Sequence, residues 1–405
     1  MFKLIRMQSS LFLASYIINA MNNWAFKFIV PLALYAETKS LQMMTISYGL
    51  LFTPNIIAPP LINLIEGKLA KKTSLLILNL IGFSLCIFSF VYFSYSFNHS
   101  IFFISVFFLS AVLILFQTLM HSIMKDIASD KENIENMSRR IAFIDSLFPA
   151  VGPLIGAALL SLFSYSNVFL IISVVYAISI SIIYLIKIDE SKKEITASFY
   201  IRTANGFKLI KESPFINFLL KRFFLSNIAL HGFQSVLTFY LIDKLHLVDL
   251  QVGFFFAFSA VGLLIGVRLG RMIYFYDFNK WYVISITGVI CALCLIITPL
   301  MTNIYIAALA WCIVMLLSSI NLIVFYTERQ TNFQQSDTAS VIAASYVIIY
   351  SAIPLGSVVS FFLSRYFNAS EAMLILGIYL LVIGFYFFYL SIKKQKSLTK
   401  DEAST

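Results

Sequence analysis

The sequence predicts an all-α integral membrane protein, with about twelve transmembrane helices in two pseudo-symmetric six-helix bundles. Four observations carry this expectation. Charge is scarce: of 405 residues, 60% are hydrophobic and 12% charged. Apolar runs of about twenty residues, each able to cross a hydrocarbon core of ~30 Å, recur from end to end. Basic residues gather on alternate loops, and two segments half a chain apart resemble each other.

In chain order the expected spans are 10–36, 43–65, 73–96, 101–124, 141–163 and 167–187, then 216–242, 251–274, 281–301, 304–327, 341–365 and 371–392. The first follows Met1-Phe2-Lys3-Leu4-Ile5-Arg6, with no small-residue cleavage site and further spans behind it. It reads as an uncleaved first helix rather than a removed signal. With the amino terminus inside, the loops after even-numbered spans face the cytoplasm. Three Lys and Arg then lie outside (Lys39, Lys244, Arg365) and Lys27 lies within a span, which leaves 25 of the 29 on the cytoplasmic side. That asymmetry is the positive-inside rule and places both termini in the cytoplasm of a bacterial inner membrane. The net charge of +10 therefore reflects topology and the lipid bilayer, and implies no nucleic-acid partner.

The longest polar interruption, residues 188–215, separates a bundle at 1–187 from one at 216–392, with a tail at 393–405. Asn205 to Pro214 alternates apolar and basic residues at helical spacing, as in a short amphipathic helix on the membrane surface. Ile141 to Gly156 (IAFIDSLFPAVGPLIG) and Ile342 to Ser357 (IAASYVIIYSAIPLGS) superpose at an offset of 201, which sets Pro153 on Pro354. Half the chain is the offset an ancient duplication requires. Two such halves are an architecture for alternating access around a midplane site.

Polar groups inside the spans are costly and so mark candidate function. Lys27 lies deep in span one, one turn after Asn23 and on its face, too far from water to snorkel easily. It should face a wet cavity or a carboxylate. Gln117 and His121 lie in span four, Asp145 a turn into span five, and His231 with Gln234 in span seven. Asp145 reads equally as a structural partner of Arg139 or Arg140 and as a proton-coupling group, while His231 titrates near neutral pH or seats a helix contact. Packing or gating roles fall to Gly152, Pro153 and Gly156 in span five, Gly262 and Gly266 in span eight, and Pro354. Glu66, Lys68, Lys71 and Lys72 after span two, and Arg268 and Arg271 after span eight, either satisfy topology or form a cytoplasmic latch. Cys86, Cys291, Cys294 and Cys312 all fall in apolar spans and read as small core residues.

No phosphate loop, HExxH, paired cysteine motif or serine elbow is present, so an enzyme is not expected, nor a cofactor or resident metal. Energy must come from an ion gradient, the substrate's own gradient or a partner. These features together resemble the major facilitator superfamily over roughly residues 8–392. Gly67 to Lys72 keeps the basic residues of that family's loop after helix two and lacks its Asp and Gly, while Gly152-Pro153 through Gly156-Ala157 resembles its helix-five motif of proton-exchanging exporters. A narrower likeness, to macrolide efflux proteins and enterobactin-type siderophore exporters, rests on Gly206 to Pro214, Met124 to Asp130 and Glu328-Arg329-Gln330. The resemblance implies a monomeric, proton-coupled secondary transporter that exports a small organic molecule, and Lys27, a buried cation that would attract an anionic substrate, puts a siderophore or similar polar metabolite ahead of a drug. Uptake by the same fold, ferroportin-like metal export and a polytopic membrane enzyme are the alternatives.

Overall fold

The computed structural model describes residues 2–66, 69–127, 131–187, 199–276 and 278–402. All regular structure among them is helical. In chain order the helices are α1 (Phe2–Thr38), α2 (Leu41–Phe52), α3 (Pro54–Glu66), α4 (Lys71–Tyr95), α5 (His99–Ile127), α6 (Lys131–Leu162) and α7 (Tyr165–Leu185). They continue with α8 (Phe199–Glu212), α9 (Pro214–Phe239) with a π-helical turn at Tyr240–Lys244, α10 (Asp249–Phe275) and α11 (Lys280–Leu300). α12 (Ile304–Thr331), α13 (Gln335–Leu363) and α14 (Ala369–Glu402) complete the chain.

Among the described residues nine helices are long and apolar enough to cross a membrane, and α6, bent by 44° between 136–145 and 147–162, makes a tenth. The remaining two expected spans fall on α1, whose middle carries Asn19, Asn22, Asn23 and Lys27, and on the α2–α3 pair. The expected continuous span 43–65 is in fact broken. Pro54 lacks an amide proton and drives Thr53 out of the helical region, so α2 stops and Pro54 takes the first turn of α3, where no donor is needed. Asn55 Nδ2 donates to the Phe52 carbonyl at 2.9 Å across the break.

The bend in α6 has a similar cause. Pro149 cannot donate to the carbonyl four residues back, which is that of Asp145, and its ring crowds that carbonyl. The intramembrane carboxylate therefore sits at the kink. Local sequence places it there.

The chain divides into two compact units, Met1–Lys39 with Leu50–Ile201 and Asp249–Phe254, and Ser40–Gly49 with Arg202–Val248 and Phe255–Thr405. In the first, α1 packs on α5, α6 and α7, and α4 packs on α5 and α7. In the second, α9 packs on α12, α13 and α14, and α11 packs on α12 and α14. The two pairing schemes are the same scheme, with α6 in the place of α13, which are the segments the 201-residue offset superposes. The linker helix α8 belongs with the second unit from Arg202 onward. Thr203, Gly206 and Ile210 are buried, and Gly206 lies so close to the Ser340 carbonyl that a side chain would not fit. Its outer face shows Tyr200, Ile201 and Phe207 to the surroundings, and residues 188–198 of the expected linker lie outside the described residues.

The expected small-residue contacts resolve into close backbone approaches. Gly262 and Gly266 on α10 rest on the Cys312 and Leu316 carbonyls of α12, closer than any Cβ could be. Gly152 lies equally close to Trp24 on α1, and Gly156 sits where a Cβ would stand 2.9 Å from Phe28 Cδ1. Overpacking of this kind costs ~1–3 kcal/mol where neighbours yield and more where the obstacle is backbone. Gly262→Val and Gly266→Val are each expected to lower the melting temperature of the purified protein by several degrees, about 2–4 °C per kcal/mol at this chain length or somewhat less. Val261→Ala on the exposed face of α10 should leave it unchanged.

Candidate functional site

In the first unit, α1, α5 and α6 bring together polar side chains that are far apart in sequence. Tyr16 Oη donates to Asp145 Oδ1 at 2.6 Å. Gln117 Nε2 donates to Asp145 Oδ1 and to the Tyr16 oxygen, each at 3.3 Å, and Asn23 Nδ2 donates to Gln117 Oε1 at 3.3 Å. His121 Nε2 lies 3.0 Å from Tyr16 Oη and 3.9 Å from Asp145 Oδ2. Since the single Tyr16 proton goes to Asp145, the contact requires His121 to carry its proton on Nε2 and donate it to Tyr16. This tautomer is inferred from the network. Asp145 is thus an acceptor of two hydrogen bonds beside an imidazole.

The Asp145 and His121 side chains are 35% and 45% exposed, so neither is sealed inside the bundle. Next to them, Tyr16, Asn19, Asn23, Phe116 and Gln117 help line a cavity of about 10 Å³, the size of one water. Asn19 anchors the wall by donating to Ser179 Oγ at 2.8 Å. Of the expected residues, Asn23, Gln117 and Asp145 therefore meet in one cluster. Arg139 and Arg140 are exposed, and Arg139 Nη2 donates to Asn136 Oδ1 at 2.7 Å, so among the described residues Asp145 does not pair with either.

Lys27 stands apart from that network. Its ammonium lies 4.7 Å from the centre of the Trp24 ring and 4.7 Å from that of Phe52, a cation held between two π faces. Among the described residues no carboxylate comes within 4.0 Å of it. The rings hold the charge in place without neutralising it.

In the second unit, Tyr48 joins His231 and Gln234. Tyr48 Oη donates to Gln234 Oε1 at 2.9 Å and lies 3.0 Å from His231 Nδ1, so the imidazole donates to it from Nδ1. The segment after α3 yields less: Lys68 and the Glu66 side chain lie outside the described residues. Lys71 Nζ reaches the Ser122 carbonyl at 3.4 Å, and Lys72 Nζ donates to the Tyr184 and Ile186 carbonyls at 2.8 and 2.7 Å. Lys72 thus caps the negative end of α7. Arg268 and Arg271 are exposed on α10. Pro354 lies inside α13 without breaking it.

Three groups went unmarked by sequence. Tyr16 and Tyr48 each organise a cluster, yet a tyrosine in an apolar run reads as wall. Arg222, assigned to the cytoplasmic side by the charge pattern, is 3% exposed within α9, and Gly288 on α11 leaves the notch its guanidinium fills. The four cysteines are buried and free, and no group of three or more His, Cys, Asp or Glu gathers as a metal would need among the described residues.

The sequence matches the Major Facilitator Superfamily over residues 12–357. The chain belongs to that superfamily. Its fold is accordingly the major facilitator fold, in a multi-pass membrane protein that is a secondary transporter of a small molecule and not an enzyme. Solved structures agree on the fold. The nucleoside transporter NupG is 14% identical with a TM-score of 0.72, covering 93% of this chain and 98% of its own. A bacterial homolog of the human lysosomal transporter Spinster, in an inward-facing and unoccupied conformation, is 12% identical with a TM-score of 0.74, covering 96% and 98%. No curated protein matches the sequence.

Proposed function

We propose that this superfamily member exports a small organic anion, a siderophore or similar polar metabolite, across the bacterial inner membrane by alternating access coupled to protons. The observation that carries the proposal is Lys27, an intramembrane cation seated between Trp24 and Phe52 with no carboxylate within reach among the described residues. A charge held this way in a membrane span is expensive, and an anionic cargo is the partner that repays it. The Asp145–Tyr16–His121 cluster supports proton coupling, because it offers two neighbouring groups that exchange one proton through a phenol. Export from a cytoplasm that holds both termini follows the charge asymmetry and the helix-five resemblance.

The test is mass spectrometry of culture medium and cell extract from a deletion strain and its parent, with and without iron. An anionic metabolite that accumulates inside and is lost outside in the mutant is expected. Unchanged profiles in both compartments would overturn export and point to uptake.

A further inference from the structure

We propose that Arg329, near the end of α12, binds the oxyanion of a dissolved aromatic molecule. Its guanidinium carbon lies 5.2, 5.0 and 5.4 Å from the ring centres of Phe325, Tyr326 and Tyr346. The residue is 4% exposed, yet its Nε and Nη1 have no hydrogen-bond partner among the described residues. Ring faces attract a guanidinium, but they supply no acceptor for its in-plane protons. Buried donors of this kind are rare and call for a missing partner.

The acid next in sequence does not supply it. Glu328 takes Lys280 Nζ on Oε1 at 2.8 Å and Asn332 Nδ2 on Oε2 at 2.9 Å. What the cage lacks is thus a negative oxygen, and what it already holds is aromatic wall. Tyr346, stacked on Tyr350 at 5.5 Å and 25°, is only half-buried, as is Tyr326, so the walls of the cage are not fully enclosed. A carboxylate on a flat ring satisfies both features. Water would satisfy the donors and leave the charge without a counterion.

The pseudo-symmetry sharpens this. The 201-residue offset sets Tyr346 on Asp145, so the position that carries the acid in the first unit carries a wall of the cation's cage in the second.

This inference deepens the reading of an anionic cargo and rests on it. The experiment is thermal unfolding of the purified full chain at constant ionic strength, with benzoate, inorganic phosphate or the neutral benzyl alcohol as probe. Benzoate is expected to raise the melting temperature and benzyl alcohol to leave it unchanged. Arg329→Gln should abolish the rise, Arg329→Lys should keep part of it, and Lys27→Ala should keep the component that depends on Arg329. Arg329→Gln removes an unpaired buried charge and should fold. Should it not, Tyr346→Ala keeps the test open, since loss of that wall is expected to weaken the benzoate response.

A full benzoate response in Arg329→Gln, or none in wild type, would overturn the site and leave the orphan donors to water. So would an Arg329-dependent shift seen only in phosphatidylglycerol nanodiscs and not in phosphatidylcholine ones, which would assign the anion to a lipid headgroup. Binding is read here without transport. A failed metabolite comparison beside an intact benzoate response would therefore sink export alone.

Discussion

Asp145→Asn is expected to transport without responding to a pH gradient. The assay is release of the metabolite retained by the deletion strain, measured in membrane vesicles with and without an imposed gradient. In wild type, one proton exchanged per molecule across one pH unit is worth about 1.4 kcal/mol, a tenfold difference in accumulation. The variant should show a ratio near one in the same gradient. The carboxamide keeps the shape of the carboxylate and can still accept from Tyr16 and Gln117, so the cluster geometry is preserved while its charge is removed. What disappears is the carboxylate proposed to take up the proton. His121→Gln separates the two members of the cluster: it should slow the gradient response without removing it, because His121 meets Asp145 mainly through Tyr16. Wild-type gradient dependence in Asp145→Asn would end the role assigned to this carboxylate and direct attention to His231.

The contrast between Asp145 and its partners shows how far sequence carries a membrane transporter. Span positions, the kinking prolines and the half-chain repeat are written in local composition, because lipid forces every span to satisfy its own backbone and so to declare itself as an apolar run. The repeat offset even names α6 and α13 as counterparts, and the helix pairing in each unit follows that rule. The polar residues were legible one at a time. Their partnership was not, since Tyr16 and Asp145 are 129 positions apart and Tyr48 and His231 are 183. A hydroxyl on a ring carries no charge signal in a hydropathy pattern, so both tyrosines went unmarked although each organises a cluster. Arg222 misled for the opposite reason. The positive-inside pattern absorbs any basic residue near a cytoplasmic end, and only the Gly288 notch reveals one that turns inward. The break at Thr53 was readable from Pro54, but an apolar stretch on both sides of it masks the stop.

Lys27→Ala is expected to remove transport while leaving the protein folded, and the two halves of that statement have separate physical grounds. Cation–π contact with Trp24 and Phe52 is worth about 0.5–2 kcal/mol, and it is set against the cost of placing an ammonium inside a span. Removing both together should shift the melting temperature little, and Lys27→Met, which refills the space between the rings, should shift it upward. Transport is different. A hydrogen bond from a charged donor to a cargo oxyanion contributes about 1.5–3 kcal/mol, so its loss should weaken handling of the cargo by roughly 10- to 150-fold. Lys27→Arg retains the charge and stacks on the same rings, and it should recover a substantial part of the rate. Vesicle transport and thermal unfolding on the same preparations check both halves. A folded Lys27→Met protein that transports at the wild-type rate would show that the rings hold Lys27 for packing alone, and the anionic-cargo reading would fall with it.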